Sequence, residues 1–174
     1  MQRRATIFAV LILNIVLQST IVHSIQIRGI IPNTAIIVIV SMSLLRGSTE
    51  GAATGLIAGL LQDIFFGVSF GYYALFGMLL GFGVGKINKG FYRENYIMPV
   101  FVCSISTLAY ESCIFLTGIL FSGNTNYLYF LINLIIPEMV YNSILTILIY
   151  RVLFSINSVL EEKEKYKRKL FSIK

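Results

Sequence analysis

The chain has 174 residues, of which 56% are hydrophobic and only 13% are charged, and its mean hydropathy is +0.80. A typical soluble domain is about a quarter charged and about half apolar, so this chain would expose more apolar surface in water than it could bury. The composition excludes an ordinary soluble domain and predicts an integral membrane protein. The basic residues that give the net charge of +6 lie in the segments outside the apolar runs. This distribution indicates membrane topology and not nucleic-acid binding.

Six apolar runs follow one another and predict an all-α bundle of six transmembrane helices. A helix needs about 20 residues to cross the hydrocarbon core, and the three shorter runs would need turns in the interface or a thinner bilayer. The first run has no cleavage site of small residues behind it, so it is interpreted as an uncleaved span and not as a signal peptide. The predicted helices lie at about 5–23, 30–45, 50–66, 70–85, 97–121 and 128–151, which gives a transmembrane domain over 1–152 and a basic cytoplasmic tail over 153–174.

The basic residues predict the orientation of these spans. With six spans and the N-terminus inside, every lysine and arginine except Arg28 falls in an inner segment, which is a strong positive-inside bias. Five spans, with the third and fourth runs forming a re-entrant pair, is the alternative count, but it would place the basic C-terminal cluster outside. Both termini are therefore expected in the cytoplasm, where the tail either lies against anionic lipid headgroups or is simply solvated.

Glycines recur every four residues along the third and fourth runs. This spacing lets another helix approach closely in lipid, where helices associate by packing and hydrogen bonding. The glycines therefore predict a tightly packed hairpin, and their faces are candidates either for packing inside the chain or for docking a partner's helix. Asp63 lies on the same face as the glycines of the third run. The candidate positions are Gly51, Gly55, Gly59, Asp63, Gly67, Gly71, Gly77, Gly81 and Gly85.

Polar side chains inside the predicted spans form a second group of candidates. An intramembrane carboxylate is costly unless it is paired, protonated or hydrated, and no lysine or arginine is predicted at the midplane to pair with Glu111 or Glu138. Pro137 also leaves the carbonyl of Asn133 without its usual donor. We therefore expect a polar cluster, which could be structural, a proton or substrate site, or a partner contact. Its predicted members are Glu111, Asn133, Glu138 and Asn142.

No catalytic, metal or cofactor site is recognised in the sequence. His23 is the one histidine and has no cysteine or carboxylate at metal spacing, and no nucleophile with a base and an orienting group is visible. Cys103 and Cys113 would lie about 15 Å apart on one helix, too far for a disulfide. A membrane enzyme that uses the intramembrane acids is therefore the weakest functional hypothesis.

The stretch from Gly51 to Gly71 closely resembles the signature of the rod shape-determining MreD family. The segment Ile31-Pro32-Asn33, the carboxylate Glu111 and the pair Pro137 and Asn142 resemble it too, as do the length and the six-span layout, so the resemblance covers nearly the whole chain. Pro32 thereby joins the candidate packing and docking residues. The positions that match the family's motif are Pro32, Gly55, Gly59, Asp63 and Gly71.

The resemblance implies a non-enzymatic component of the cell-elongation machinery in the bacterial inner membrane. Members of the family associate with MreC, which has a single span, and through it with MreB, RodA and penicillin-binding protein 2. The resemblance also implies a fold similar to the substrate-binding S-components of energy-coupling-factor vitamin transporters. An S-component that captures a vitamin is the alternative function, although the predicted outer loops are too short to make an obvious lid.

Overall fold

The structure is a computed structural model, and it describes residues 2–22, 29–66, 70–90, 97–122 and 126–171. Nearly all of these residues are helical, so the predicted all-α class is confirmed. The predicted positions His23, Arg28 and Gly67 lie outside the described residues. The helices are α1 (Gln2–Leu17), which a π-helical turn (Gln18–Val22) continues, α2 (Thr34–Arg46), α3 (Ser48–Phe66), α4 (Tyr72–Gly85), which a 3-10 turn (Lys86–Gly90) continues, α5 (Ile97–Ser122), α6 (Tyr127–Phe130), a π-helical turn (Leu131–Ile135) and α7 (Ile136–Phe171).

Helix α2 is the centre of the fold. Every residue from Thr34 to Leu45 is buried, and α2 packs against α1, α3, α4, α5 and α7. A helix that is apolar on all sides belongs in a protein interior, and the sequence of α2 is of this kind. Its 13 residues span about 20 Å, less than the roughly 30 Å of a hydrocarbon core. Because the other helices surround it, lipid does not set its length.

The surrounding helices direct many apolar side chains outward. Two described helices, Ile97–Gly118 and Tyr127–Lys163, are long and apolar enough to cross a membrane. Large contiguous apolar surfaces are unusual on soluble monomers and mark contact with lipid or with a partner. Residues that are more than half exposed on α5 and α7 include Phe101, Ile105, Ile144, Leu148 and Val152.

Polar contacts join three helical segments at one end of the bundle. The guanidinium Nε of Arg46, the last residue of α2, donates to the side-chain oxygen of Asn157 on α7. The amide nitrogen of Asn88, in the turn after α4, donates to the carbonyl of Leu44. The C-terminal end of α2, the C-terminal end of α4 and the second half of α7 therefore meet at the same end, which also carries Lys86.

The last helix is longer than the sequence predicted. The final span was expected to end at about 151, yet α7 continues to Phe171. Residues 151–171 contain no proline or glycine, so nothing in this segment interrupts a helix. Beyond the expected end, the amide of Asn157 donates to the carboxylate of Glu161 one turn later, at 3.1 Å. The residues assigned to the tail therefore extend the helix of the last span.

A proline explains the π-helical turn before α7. Proline has no N–H to donate, and its ring clashes with the carbonyl four residues earlier, which for Pro137 is the carbonyl of Asn133. The chain widens into a π-helical turn over Leu131–Ile135, a form that inserts one extra residue into a helical turn. This turn changes which side chains of α7 face the bundle.

Candidate functional site

Helices α3 and α4 pack antiparallel with their glycines in direct contact. We call this contact the glycine seam. A Cβ atom added to Gly77 would lie 2.5 Å from the carbonyl oxygen of Gly55, and one added to Gly51 would lie 2.5 Å from the carbonyl oxygen of Gly81. These carbonyl oxygens are backbone atoms, so no side-chain rotation relieves the overlap, and at Gly51 the side chain of Ser43 on α2 stands in the way as well. The glycine seam consists of Gly51, Gly55 and Gly59 on α3 and Gly77, Gly81 and Gly85 on α4.

The register of the glycine seam follows the four-residue spacing. Each step of four residues forward along α3 meets a step of about four residues backward along α4. After Gly51 and Gly55, the next position, Gly59, lies against the backbone of Tyr73 and Ala74. At the opposite end, Gly85 lies against the backbone of Ser48. The two glycine faces are therefore filled by each other, and in this structure the seam packs inside the chain.

Asp63 is the next position along the same face, and there the contact changes from packing to hydrogen bonding. The side-chain oxygens of Asp63 accept from the backbone N–H groups of Gly71 at 2.9 Å, Tyr73 at 2.9 Å and Ala74 at 3.2 Å. These N–H groups belong to the start of α4, where the first turn has no partners within the helix. The buried carboxylate therefore caps α4, and its negative charge lies at the positive end of the helix dipole.

Two other predicted packing positions have different roles. Gly71 adopts φ 91°, a left-handed conformation, and a Cβ added there would meet no atom within 4 Å. Glycine is required by the turn into α4 and not by close packing. Pro32 is buried and stands just before Asn33, the N-cap residue of α2. The family motif thus combines packing glycines with residues that set the starts of two helices.

The polar cluster is organised around Asn142 of α7, which is fully buried. Its side-chain oxygen accepts from the backbone N–H of Asn33 at 3.0 Å. Its amide nitrogen donates to the hydroxyl of Thr107 on α5 at 3.1 Å and lies 3.5 Å from a carboxylate oxygen of Glu138. Asn142 therefore joins α7 to α5 and to the start of α2.

The side chain of Asn33 extends the cluster to one more helix, α3, and to a second residue of α5. Its amide nitrogen donates to Glu111 of α5 at 3.5 Å, and its oxygen accepts from Gln62 of α3 at 3.0 Å. Beside it, the hydroxyl of Thr34 donates to the side-chain oxygen of Gln18 at 2.9 Å. The sequence included Asn33 only through the family resemblance. Its position between a proline and the first buried residue of α2 is the signal that could have identified it.

Asn133 does not join this cluster, contrary to the prediction. Its side chain is exposed, and its amide nitrogen donates to the carbonyl of Tyr129 one turn earlier, at 2.9 Å. Helical spacing is the physical reason, because Asn133 precedes Glu138 by five residues and Asn142 by nine, and at about 3.6 residues per turn neither spacing returns to the same face.

A cavity of about 420 Å³ adjoins the polar cluster. We call it the acidic cavity, because Glu111 and Glu138 both line it. Within the described part of the chain, no three histidine, cysteine, aspartate or glutamate side chains come together to hold a metal ion. The other lining residues are Gln18, Ser19, Ile31, Asn33 and Phe66.

Comparison with known proteins gives one result that covers most of the chain. Residues 2–158 match the family described as rod shape-determining protein MreD. No curated protein and no solved structure matched the chain. The matched region contains the glycine seam, the capping carboxylate Asp63, the polar cluster and the acidic cavity. The chain therefore belongs to the MreD family of rod shape-determining membrane proteins.

Proposed function

We propose that this protein is a non-enzymatic scaffold of the bacterial inner membrane that docks the single transmembrane helix of MreC. Through MreC it would join RodA and penicillin-binding protein 2 and help to organise peptidoglycan synthesis. Membership of a rod shape-determining family supports a role in cell shape. The glycine seam is occupied by the chain's own helices, so the docking surface is sought elsewhere on the bundle.

The observation that carries the proposal is an apolar groove of about 340 Å³ between α4 and α5. We call it the α4–α5 groove. Leu79 and Ile105 on its two sides are more than half exposed, so the chain itself leaves their side chains uncovered. The groove is lined by Leu79, Leu80, Gly83, Val84 and Ile87 on the α4 side and by Val102, Ile105, Ser106 and Ala109 on α5.

Small residues make this groove suitable for another helix. Gly83, Ser106 and Ala109 lie along it, and residues of this size let helix backbones approach closely in a membrane. A Cβ added to Gly83 would meet no atom within 4 Å, unlike one at any position of the glycine seam. Gly83 is thus a helical glycine whose face is open, which is what a position reserved for a partner's helix requires.

We further propose six spans with both termini in the cytoplasm, a transmembrane domain over 1–152 and a cytoplasmic tail over 153–174. In support, Arg46 and Lys86 lie at one end of the bundle, as the positive-inside rule requires of the cytoplasmic end. The α7 helix continues from this end, and its exposed Lys163 and Lys165 suit contact with anionic lipid headgroups.

The two other predicted functions receive no support from the comparisons. The family match is to shape-determining proteins, and vitamin capture by an S-component is not proposed. The similarity of fold to S-components stays a prediction. An enzyme that uses Asp63, Glu111 and Glu138 would need Asp63 available for chemistry, whereas its two oxygens accept three backbone hydrogen bonds at the start of α4.

Co-purification with MreC tests the docking proposal. The variant Gly83→Leu should fill the α4–α5 groove without disturbing the fold, because the added side chain meets open space. We expect it to purify as a folded protein and to retain at least tenfold less MreC than the unsubstituted protein. The matched control is Gly118→Leu, since Gly118 is also a helical glycine with no atom within 4 Å of an added Cβ and does not line the groove. Normal MreC retention by folded Gly83→Leu would contradict docking in this groove.

A further inference from the structure

The acidic cavity has no role in docking a helix at the α4–α5 groove, and its chemistry points to a ligand. We propose that it binds a primary ammonium group, carried either by a small soluble amine or by the headgroup of phosphatidylethanolamine. The proposal is independent of the docking role, because none of the described residues lines both the cavity and the groove.

The size of the cavity suits an organic group. Its volume of about 420 Å³ lies within the range of about 300–1,000 Å³ that is typical of small-molecule sites. A bound Ca²⁺ ion takes six to eight oxygen ligands at about 2.3–2.6 Å, and the described residues bring no three acidic or other metal-binding side chains together. The cavity is therefore too large, and too poor in anionic ligands, for a bare metal ion.

The two carboxylates that line the cavity have room to accept further hydrogen bonds. Glu111 and Glu138 are 8% and 5% exposed, and none of the described residues that line the cavity is basic. From the described residues each carboxylate receives one side-chain hydrogen bond, from Asn33 and Asn142 respectively, and both are long at 3.5 Å. An ionised carboxylate only accepts hydrogen bonds and offers about four acceptor sites. A primary ammonium group supplies three donors and a compensating positive charge.

The remaining lining residues suit the rest of such a ligand. Gln18 uses its side-chain oxygen to accept from Thr34, which leaves its amide nitrogen to donate to an oxygen of the ligand. Ile31 offers an apolar wall, and Phe66, which is half exposed, offers an aromatic ring. An aromatic face attracts an organic cation electrostatically.

The backbone beside the cavity is irregular on one side. Gln18 and Ser19, which line the cavity, lie in the π-helical turn that ends the first helix. Such turns are rare in proteins and are frequently found at functional sites.

A fluorescence titration tests the proposal on the full-length protein in detergent. The chain has no tryptophan, so Phe66→Trp places a single indole at the cavity. We expect putrescine to change the emission in a saturable way and uncharged 1,4-butanediol to have no such effect. In the same background, Glu111→Gln and Glu138→Gln should each weaken putrescine at least tenfold, whereas Glu162→Gln, at an exposed position, should not.

Reconstitution separates the two sources of the ammonium group. Nanodiscs with phosphatidylethanolamine and nanodiscs with phosphatidylcholine should give different emission if the lipid headgroup is the ligand, and Glu111→Gln should abolish the difference. Equal emission in both, with putrescine still binding, identifies a soluble amine. As a check that does not depend on the tryptophan, putrescine should raise the unfolding temperature of the unsubstituted protein but not that of a double variant with Glu111→Gln and Glu138→Gln. The proposal is overturned if neither ammonium source acts, if butanediol acts equally, or if Mg²⁺ binds in place of the amine.

Discussion

The glycine seam and the polar cluster both join helices in the middle of the bundle, but they do so by opposite means. In the seam, α3 and α4 touch backbone to backbone because no side chain stands between them. In the polar cluster, long side chains such as those of Asn142 and Asn33 bridge helices by hydrogen bonds. Packing in the seam tolerates no added atom, whereas the cluster leaves an acidic cavity of about 420 Å³ beside it.

This difference shows how one small bundle combines a rigid part with an open part. Close backbone contact gains dispersion energy from many atom pairs and leaves no space for rearrangement. Hydrogen bonds between side chains hold helices at a greater distance and leave room for a ligand or water. Substitutions in the two regions should therefore destabilise the protein in different ways.

Leucine at a seam glycine should have the largest effect. In Gly55→Leu the first added carbon would overlap the carbonyl group of Gly77, and α3 and α4 can relieve this only by separating. We expect the yield of monodisperse protein in detergent to fall to a small fraction of normal. Gly83→Leu, on α4 with open space around it, is the matched control and should purify normally. Equal yields for the two variants would show that the seam is not close-packed.

Removing the capping carboxylate should have the next largest effect. Asp63→Ala leaves three backbone N–H groups of α4 without their acceptor, and a buried unpaired polar group costs about 1–3 kcal/mol. We expect the free energy of unfolding, measured by titration with SDS, to fall by about 3 kcal/mol or more. Asp63→Asn should lose less, because it retains one acceptor oxygen while it loses the interaction of the charge with the helix dipole. An unchanged free energy for Asp63→Ala would refute the capping role.

Two asparagines of the last helical region provide a paired test of the polar cluster. Asn142→Ala removes the acceptor for the backbone N–H of Asn33 and the donor to Thr107, so we expect a loss of about 2 kcal/mol. Asn133→Ala changes an exposed side chain that contacts only its own helical turn among the described residues, and it should stay within about 0.5 kcal/mol. A larger loss of unfolding free energy for Asn133→Ala than for Asn142→Ala would show that Asn133 does belong to the cluster.

The turn into α4 gives the smallest expected effect. Gly71→Ala places a Cβ in a left-handed conformation at φ 91°, for which about 1–3 kcal/mol is typical of non-glycine residues. Open space around the position limits the loss, and we expect about 1 kcal/mol in the same SDS titration. Gly118→Ala, at a helical position with similar space, should be neutral or slightly stabilising.

The two regions also differ in how far the sequence predicts them. The glycine seam can be predicted from the sequence because its signal is local: glycines every four residues on consecutive helices predict a close hairpin. In the structure, the register of this hairpin places Gly51 opposite Gly81. The same spacing marked Asp63 but not its role, since capping depends on where α4 begins. The spacing of the docking candidates did not show that the chain fills their face itself, and Gly83, the glycine of α4 whose face is open, was not among those candidates.

The polar cluster can be predicted from the sequence only in part, because its contacts join residues that are far apart along the chain. Asn33 meets Asn142 across 109 residues and Glu111 across 78, and no local pattern encodes such pairings. The membrane cost of buried acids was enough to select Glu111 and Glu138, but Asn133 does not share the face of Glu138 and Asn142, because its spacings of five and nine residues from them are not whole numbers of helical turns. The short run of α2 was expected to need turns in the interface or a thinner bilayer, and no local pattern showed that α2 lies at the centre of the bundle with helices around it.

Site-specific photo-crosslinking to MreC tests most directly whether a partner's helix docks in the α4–α5 groove. A benzoylphenylalanine at Ile105, which is 68% exposed and lines the groove, is compared with one at Ile144, which is 58% exposed on α7 and does not line it. In cells that produce both proteins, we expect Ile105 to crosslink to the transmembrane helix of MreC and Ile144 to give no such product. A crosslink from Ile144 together with none from Ile105 would contradict the account.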